Sequence, residues 1–169
     1  YRHPMRTLQR KVRTVLSGGL SFFELRNYSF DSEPLLERIG RSEALALELK
    51  NPLSNEQRFL KTSLIPNMIA AIERSIAHCD ELKVYEIGRV FEALSEGERI
   101  ATPDRLPSQP FMLGGAIWRR AGQGAPQSSL AGQWGHSDRA YFELKGFTET
   151  LATQLNTTLD FKLTDGGQP

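Results

Sequence analysis

Two periods of apolar residues run along this chain. Met5, Leu8, Val12, Val15 and Leu16 recur at helical spacing and predict a helix over residues 1–17, stopped by Gly18-Gly19. Ser21–Phe30 is rich in aromatics; Phe22, Phe23, Tyr28 and Phe30 predict a strand with apolar area on both faces. A short helix is expected over Glu33–Gly40, then a half-buried strand where Leu45, Leu47 and Leu49 alternate with other residues. Leu82–Phe91, with Gly88 inside it, and Phe111–Trp118, with Gly114-Gly115, read as two further strands. Glycine inside a strand marks a bulge or a close approach of another backbone. Asp138 is the expected cap of a last helix with the stripe Leu144, Phe147, Leu151 and Leu155, and Leu159, Phe161 and Leu163 alternate as a final strand. Ser95–Gln109 and Arg119–His136 read as surface loops. Together these elements predict an α+β fold, an antiparallel sheet flanked by helices, in a single domain over residues 1–169. Nothing in the pattern closes the domain before Pro169, so truncation at the C-terminal end is expected.

The most informative stretch is Asn51–His78. Asn51-Pro52 is a turn signal, and Ser54-x-x-Gln57 has the spacing of a capping box. A second helix start follows at Thr62-Ser63, with Pro66 in the first turn, where its missing N–H has no partner to lose. Ile65, Met68, Ile69, Ile72 and Ile76 form the apolar stripe of that helix, and Asp80-Glu81 marks its exit. His78 sits where it can act as an electrostatic cap at the helix end.

Three strings in this order carry a resemblance. Asn51-Pro52-Leu53-Ser54 followed by Arg58 and Thr62-Ser63-Leu64-Ile65-Pro66 is similar to the "NPLS … R-S-L-L-P-G-L-L" run of the bacterial phenylalanyl-tRNA synthetase beta chain family. Val84-Tyr85-Glu86-Ile87-Gly88-Arg89-Val90-Phe91 resembles that family's "lFEiGrvF" strand, and Tyr141-Phe142-Glu143-Leu144-Lys145-Gly146 its "dffdLKG". The resemblance implies a class II aminoacyl-tRNA synthetase-like fold whose active site has been lost, with catalysis in the alpha chain. It further implies an alpha2-beta2 assembly in the cytoplasm that uses ATP and magnesium to charge tRNA(Phe). The family's magnesium carboxylates, editing domain and anticodon-binding domain lie outside the matching region. The helix and strand of residues 1–30 loosely resemble motif 1, the pairing element of class II modules, although the proline that closes it in many members is missing through Phe30 and Pro34 comes too late.

Charge decides the expected role. In the class II pattern an arginine just after the strand matched by Val84–Phe91 clamps the α-phosphate, because negative charge must be held while the nucleophile approaches. This chain reads Phe91-Glu92-Ala93 there, and a carboxylate repels what the arginine would attract. The expectation is therefore no catalytic, cofactor or metal residue in this chain. Fold or subunit-contact roles are expected for Asn51, Pro52, Leu53, Ser54, Arg58, Ser63, Leu64, Pro66, Glu86, Gly88, Phe91, Lys145 and Gly146, with Lys145 a surface lysine and Gly146 a tight helix contact. Two alternatives stay open: a nucleotide site using Arg89, Arg119 or Arg120 on phosphates, and an RNA-binding strip of Arg6, Arg10 and Arg13.

Composition narrows the classes further. A net charge of +1 over 169 residues gives no global argument for nucleic acid or a lipid surface. No apolar run approaches the roughly 20 residues of a membrane helix. The single Cys79 excludes an internal disulfide, and His3, His78 and His136 have no second ligand at metal spacing. There is no Gly-rich phosphate loop and no G-x-S-x-G context around Ser63 or Ser137.

Overall fold

A computed structural model describes residues 3–39, 47–54, 57–92, 107–120 and 136–158, with side chains from residue 141 onward in the last stretch. The final strand expected at Leu159–Leu163, Leu45, and the bulk of both long loops lie outside the described residues. The chain forms two compact units, one of residues 1–21 with 125–169 and one of residues 22–124.

In the first unit α1 (Pro4–Arg13) begins with proline in its first turn and then widens into π geometry over Thr14–Gly19, closed by the Leu20 N–H donating to the Val15 carbonyl at 3.0 Å. The helix stops at the expected diglycine; the widened turns were not expected. Only the C-terminal half of the stripe is buried, at Val12 and Leu16, while Met5 and Leu8 are exposed. The widened turns pack against α4 (His136–Gln154), which starts two residues before the expected cap Asp138 and buries Leu151 and Ala152. Asn156, at φ 54°, ends α4: its N–H donates to Thr153 O and the Thr157 N–H to Ala152 O, a Schellman pattern with asparagine in the left-handed position.

The second unit holds two three-stranded sheets. Residues 21–30 do not form one strand: β1 (Phe23–Glu24) and β2 (Phe30–Asp31) belong to different sheets. The expected burial on two faces is not met either: Phe22 is buried and Phe30 half-buried, while Phe23 and Tyr28 are exposed. β1 pairs with β5 (Glu81–Arg89), and β5 pairs antiparallel with β6 (Phe111–Arg119) over nine residue pairs, from Glu81↔Arg119 to Arg89↔Phe111. The β1–β5 pairing is parallel, so this sheet is mixed rather than antiparallel throughout. β5 buries Val84, Tyr85 and Glu86 in succession, the mark of a strand covered on both faces.

The second sheet is antiparallel, in the order β2, β4 (Phe59–Leu60), β3 (Leu47–Glu48). Against it lies a core of Leu36, from α2 (Glu33–Arg38), and Phe59. Among the described residues no α-helix follows Ser54; the Gln57 N–H donates to the Ser54 carbonyl at 3.1 Å, and Gln57 has 3₁₀ geometry just before β4. The capping-box spacing was met, yet Phe59 and Leu60 are claimed by two neighbouring strands before a helix can propagate. α3 (Ile65–Ser75) is the helix expected from the second start signal, with Pro66 in its first turn, Met68 buried and the Ile65 N–H donating to Ser63 Oγ at 3.3 Å.

Candidate functional site

The most unusual chemistry of the second unit lies where α3 enters the β5–β6 hairpin. Lys61, between β4 and α3, points inward, and its Nζ donates to Glu86 Oε1 at 2.8 Å with both side chains no more than 3% exposed. The other carboxylate oxygen accepts from Asn27 Nδ2 at 2.9 Å. The backbone ties the same three segments together: the Lys61 N–H donates to Ser29 O at 3.0 Å and the Phe91 N–H to Lys61 O at 2.9 Å. A dry ion pair survives only when its remaining polar atoms are satisfied, and here Glu86 bonds on both oxygens.

Gly88 makes room for this pair. A Cβ on it would stand 3.0 Å from Glu86 Oε1, 3.0 Å from Leu64 Cδ2 and 3.1 Å from Lys61 Nζ. The close approach expected at this glycine is real, but side chains make it rather than a backbone. Across the hairpin, a Cβ on Gly114, which pairs with Glu86, would stand 3.2 Å from Met68 Cε and 3.4 Å from Leu64 Cβ. Leu64 thus seats the start of α3 over two glycines. Gly115 is roomier: a Cβ there would stand 3.6 Å from the Val84 carbonyl oxygen. Lys61 was absent from the residues expected to matter; its position inside the apolar run Phe59-Leu60-Lys61-Thr62-Ser63-Leu64 was the available signal.

The three arginines proposed for phosphates do not converge. Arg89 and Arg119 occupy opposite ends of β5–β6, eight residue steps apart, which at strand rise is about 26 Å. Arg89 stacks on the Phe111 ring at 4.6 Å, and its Nη1 reaches Gln109 Oε1 at 3.5 Å. Arg119 Nη2 donates to Glu81 Oε1 at 2.8 Å, which, with Lys83 beside it, holds that carboxyl below the usual carboxylate range. Arg120 bonds Asp80 Oδ1 at 2.7 Å and the Ile76 carbonyl at 2.8 Å, supplying a cation at the C-terminal end of α3. Glu92 is exposed and bridges to Ser108 at the loop end of the hairpin.

The other motif residues separate by burial. Asn51, Pro52, Leu53 and Ser54 are all exposed, Leu53 at 91%. Arg58 braces its own sheet, with Nε 2.8 Å from Glu48 Oε1, Nη1 3.6 Å from Glu33 Oε2 and its guanidinium over Phe59. Lys145 lies 3.8 Å from Glu149 on α4. Gly146 is not a tight contact: a Cβ there meets nothing within 4 Å. Of the basic strip on α1, Arg6 and Arg10 are exposed and Arg13 is half-buried. Among the described residues no three His, Cys, Asp or Glu side chains gather to hold a metal ion, and no helix is long and apolar enough to cross a membrane.

Comparison with known proteins places this geometry. The phenylalanyl tRNA synthetase beta chain CLM domain family matches residues 1–168. The phenylalanine–tRNA ligase beta subunit of Dehalococcoides mccartyi strain CBDB1 is 30% identical over 164 residues, 96% of this chain. The corresponding subunit of Staphylococcus epidermidis is 29% identical over 157 residues, 91% of this chain. The chain spans 18% of the length of each of these relatives. Among solved structures, pyrrolysyl-tRNA synthetase from Desulfitobacterium hafniense superposes with a TM-score of 0.67 at 15% identity, over 96% of this chain and 50% of that one. The α+β fold is therefore that of class II aminoacyl-tRNA synthetases. With the family matched across nearly its whole length, the chain belongs to the phenylalanyl-tRNA synthetase beta chain CLM domain family.

Proposed function

We propose that residues 1–169 act as one non-catalytic module of a cytoplasmic phenylalanine–tRNA ligase, pairing with the catalytic alpha subunit in an alpha2-beta2 assembly that charges tRNA(Phe). The observation that carries the reading is the arginine placement. A triphosphate needs cations converging within a few ångströms, whereas Arg89 stands about 26 Å along the strands from Arg119. The buried cation of this sheet, Lys61, is already neutralised by Glu86. ATP and magnesium belong, in this reading, to other parts of the ligase; the described residues offer no set of side chains that fits the metal.

Pairing is supported by exposed apolar side chains in the first unit. Met5 and Leu8 on α1, and Tyr141, Phe142 and Leu144 on α4, are all at least 37% exposed. Apolar groups of this size left on a surface are typical of a contact face. The exposed Asn51-Pro52-Leu53-Ser54 turn is a second candidate contact, as is Lys145-Gly146, whose glycine leaves open space beside α4. The fold roles proposed for Ser63, Leu64, Pro66, Glu86, Gly88 and Phe91 follow from the α3 entry described above, and that of Arg58 from its bracing of β3 and α2.

The test has two arms. The chain alone, incubated with phenylalanine, ATP and labelled pyrophosphate, is expected to show no exchange, and clear phenylalanine-dependent exchange would reject the scaffold role. The full-length protein that carries this segment is expected to co-purify with the alpha chain; charged substitution of Leu8 and Phe142 is expected to weaken that association, and unchanged co-purification would reject this face.

A further inference from the structure

A second feature of the second unit is independent of the hairpin. A cleft of about 700 Å³ opens between the segment Arg26–Leu35 and the outer side of α3. That volume lies in the roughly 300–1,000 Å³ range of clefts that take small-molecule-sized groups. Its wall carries Arg26, Arg38 and Arg74, and none of its described lining residues is acidic. Three guanidiniums thus share one cleft, two of them beside a glutamate outside the lining, Glu24 and Glu73.

The floor is held by bonds that do not depend on a ligand. Asn67 Nδ2 donates to the Phe30 carbonyl at 3.0 Å and to Asp31 Oδ1 at 2.7 Å, and Asp31 is 1% exposed. Arg38 is steadied by Glu73 on α3. Arg26 is the loosest of the three, its side chain 79% exposed and 3.7 Å from Glu24. Among the described residues Arg74 has no acidic partner. At the rim Tyr28 is 76% exposed, a ring presented to solvent beside Phe30.

Guanidinium groups, an outward aromatic ring and fixed amides form a combination with a specific use. Guanidiniums pair with phosphate oxygens and an exposed ring stacks on a base, while the Asn67 and Asn27 amides hold the floor in place. An acidic peptide would use the arginines but would leave the ring without a role. The geometry points to this cleft as a binding site for a short stretch of single-stranded RNA, with phosphates on Arg26, Arg38 and Arg74 and a base on Tyr28. The site stands apart from pairing with the alpha chain, because co-purification reads one and oligonucleotide binding the other.

The test uses the full-length protein that carries this segment. The probe is a fluorescein-labelled single-stranded RNA pentanucleotide bearing one 4-thiouridine, followed by anisotropy and by photocrosslinking with peptide mapping. The crosslink is expected within residues 26–35. Tyr28→Ala is expected to weaken that crosslinked binding at least about fivefold without changing its salt dependence. Arg26→Gln with Arg74→Gln is expected to flatten the slope of log K against log salt by about 1.4, at about 0.7 per phosphate contact for a single strand. Arg26→Lys with Arg74→Lys should keep the slope, which separates lost charge from lost folding. Four results would overturn the inference: crosslinks confined to other segments, equal competition by polyglutamate, AMP binding as tightly as the pentanucleotide, or a Tyr28→Ala protein that binds as before.

Discussion

Lys61→Met is the sharpest perturbation of this fold. Methionine fills nearly the same volume, so the cavity cost is small and the electrostatic cost is isolated. It leaves the Glu86 carboxylate in a site 2% exposed with Asn27 as its remaining donor. Stranding one member of a buried pair costs about 3–5 kcal/mol, which for a chain of this size lowers Tm by about 6–20 °C. An exposed pair of the same length is worth at most about 1 kcal/mol, so the two cases are separable. The second half of the cycle is Lys61→Met with Glu86→Gln, which removes both charges and keeps an acceptor for Asn27. Neutralising the stranded charge should recover part of the loss, so the double variant is expected to be more stable than Lys61→Met alone. The assay is urea unfolding followed by far-UV circular dichroism, comparing midpoints at constant m. A single-variant cost under about 1 kcal/mol at unchanged m, or strictly additive costs, would refute the reasoning, because either result means that the site is wet and the pair weak.

Three further outcomes follow from the same coordinates. Gly88→Ala is expected to cost about 1–3 kcal/mol in the same urea assay, since its Cβ would meet Glu86 Oε1 and Leu64 Cδ2 at 3.0 Å. Gly146→Ala, in open space on α4, is expected to raise stability by about 0.5–1 kcal/mol through helix propensity; if it also weakens co-purification with the alpha chain, the glycine serves a partner. Glu81 has a folded-state pKa below 4.5, caused first by its hydrogen bond from Arg119. Its contribution is therefore fully present above that value and is lost as pH falls through the lowered one, so Glu81→Gln is expected to flatten the acid side of the stability–pH profile. The effect should be small, because that side chain is 46% exposed.

The sequence carried the fold where one face of an element meets one neighbour. The α3 helix, the proline in its first turn and the long β5–β6 pair were legible, because period and punctuation act locally; of the expected α3 stripe, however, Met68 is buried while Ile65 and Ile69 are exposed. It failed where two distant segments competed for the same residues. Residues 21–30 read as one strand because a run of aromatics suggests burial on two faces, whereas Phe23 and Tyr28 are exposed and the two ends of the run pair in different sheets. Ser54-x-x-Gln57 met the local rule for a helix start, but Gln57 has only 3₁₀ geometry, and the pairing of Phe59 and Leu60 with two strands ends it there. Lys61 was invisible for a related reason: a lysine is ordinarily read as surface, and only its distance to Glu86, 25 positions away, makes it core.

That last case shows how the family strings divide. Glu86 and Gly88 sit in one recognisable strand motif, and Leu64 and Pro66 in another, yet the structure makes them parts of one object: an ion pair, the glycine that admits it and the leucine that covers it. The pairing of these strings is thus accounted for by packing alone. The same account fails for Asn51-Pro52-Leu53-Ser54, whose four side chains are exposed and whose leucine buries almost nothing. A turn needs Asn-Pro but has no need of leucine at its tip, and the reading proposed above makes Leu53 part of a contact with the alpha chain. Leu53→Ser should then leave urea stability of this chain within about 0.5 kcal/mol, as for a surface change, while measurably weakening co-purification of the full-length protein with the alpha chain. If stability falls instead and association holds, Leu53 serves the fold and the turn is no contact.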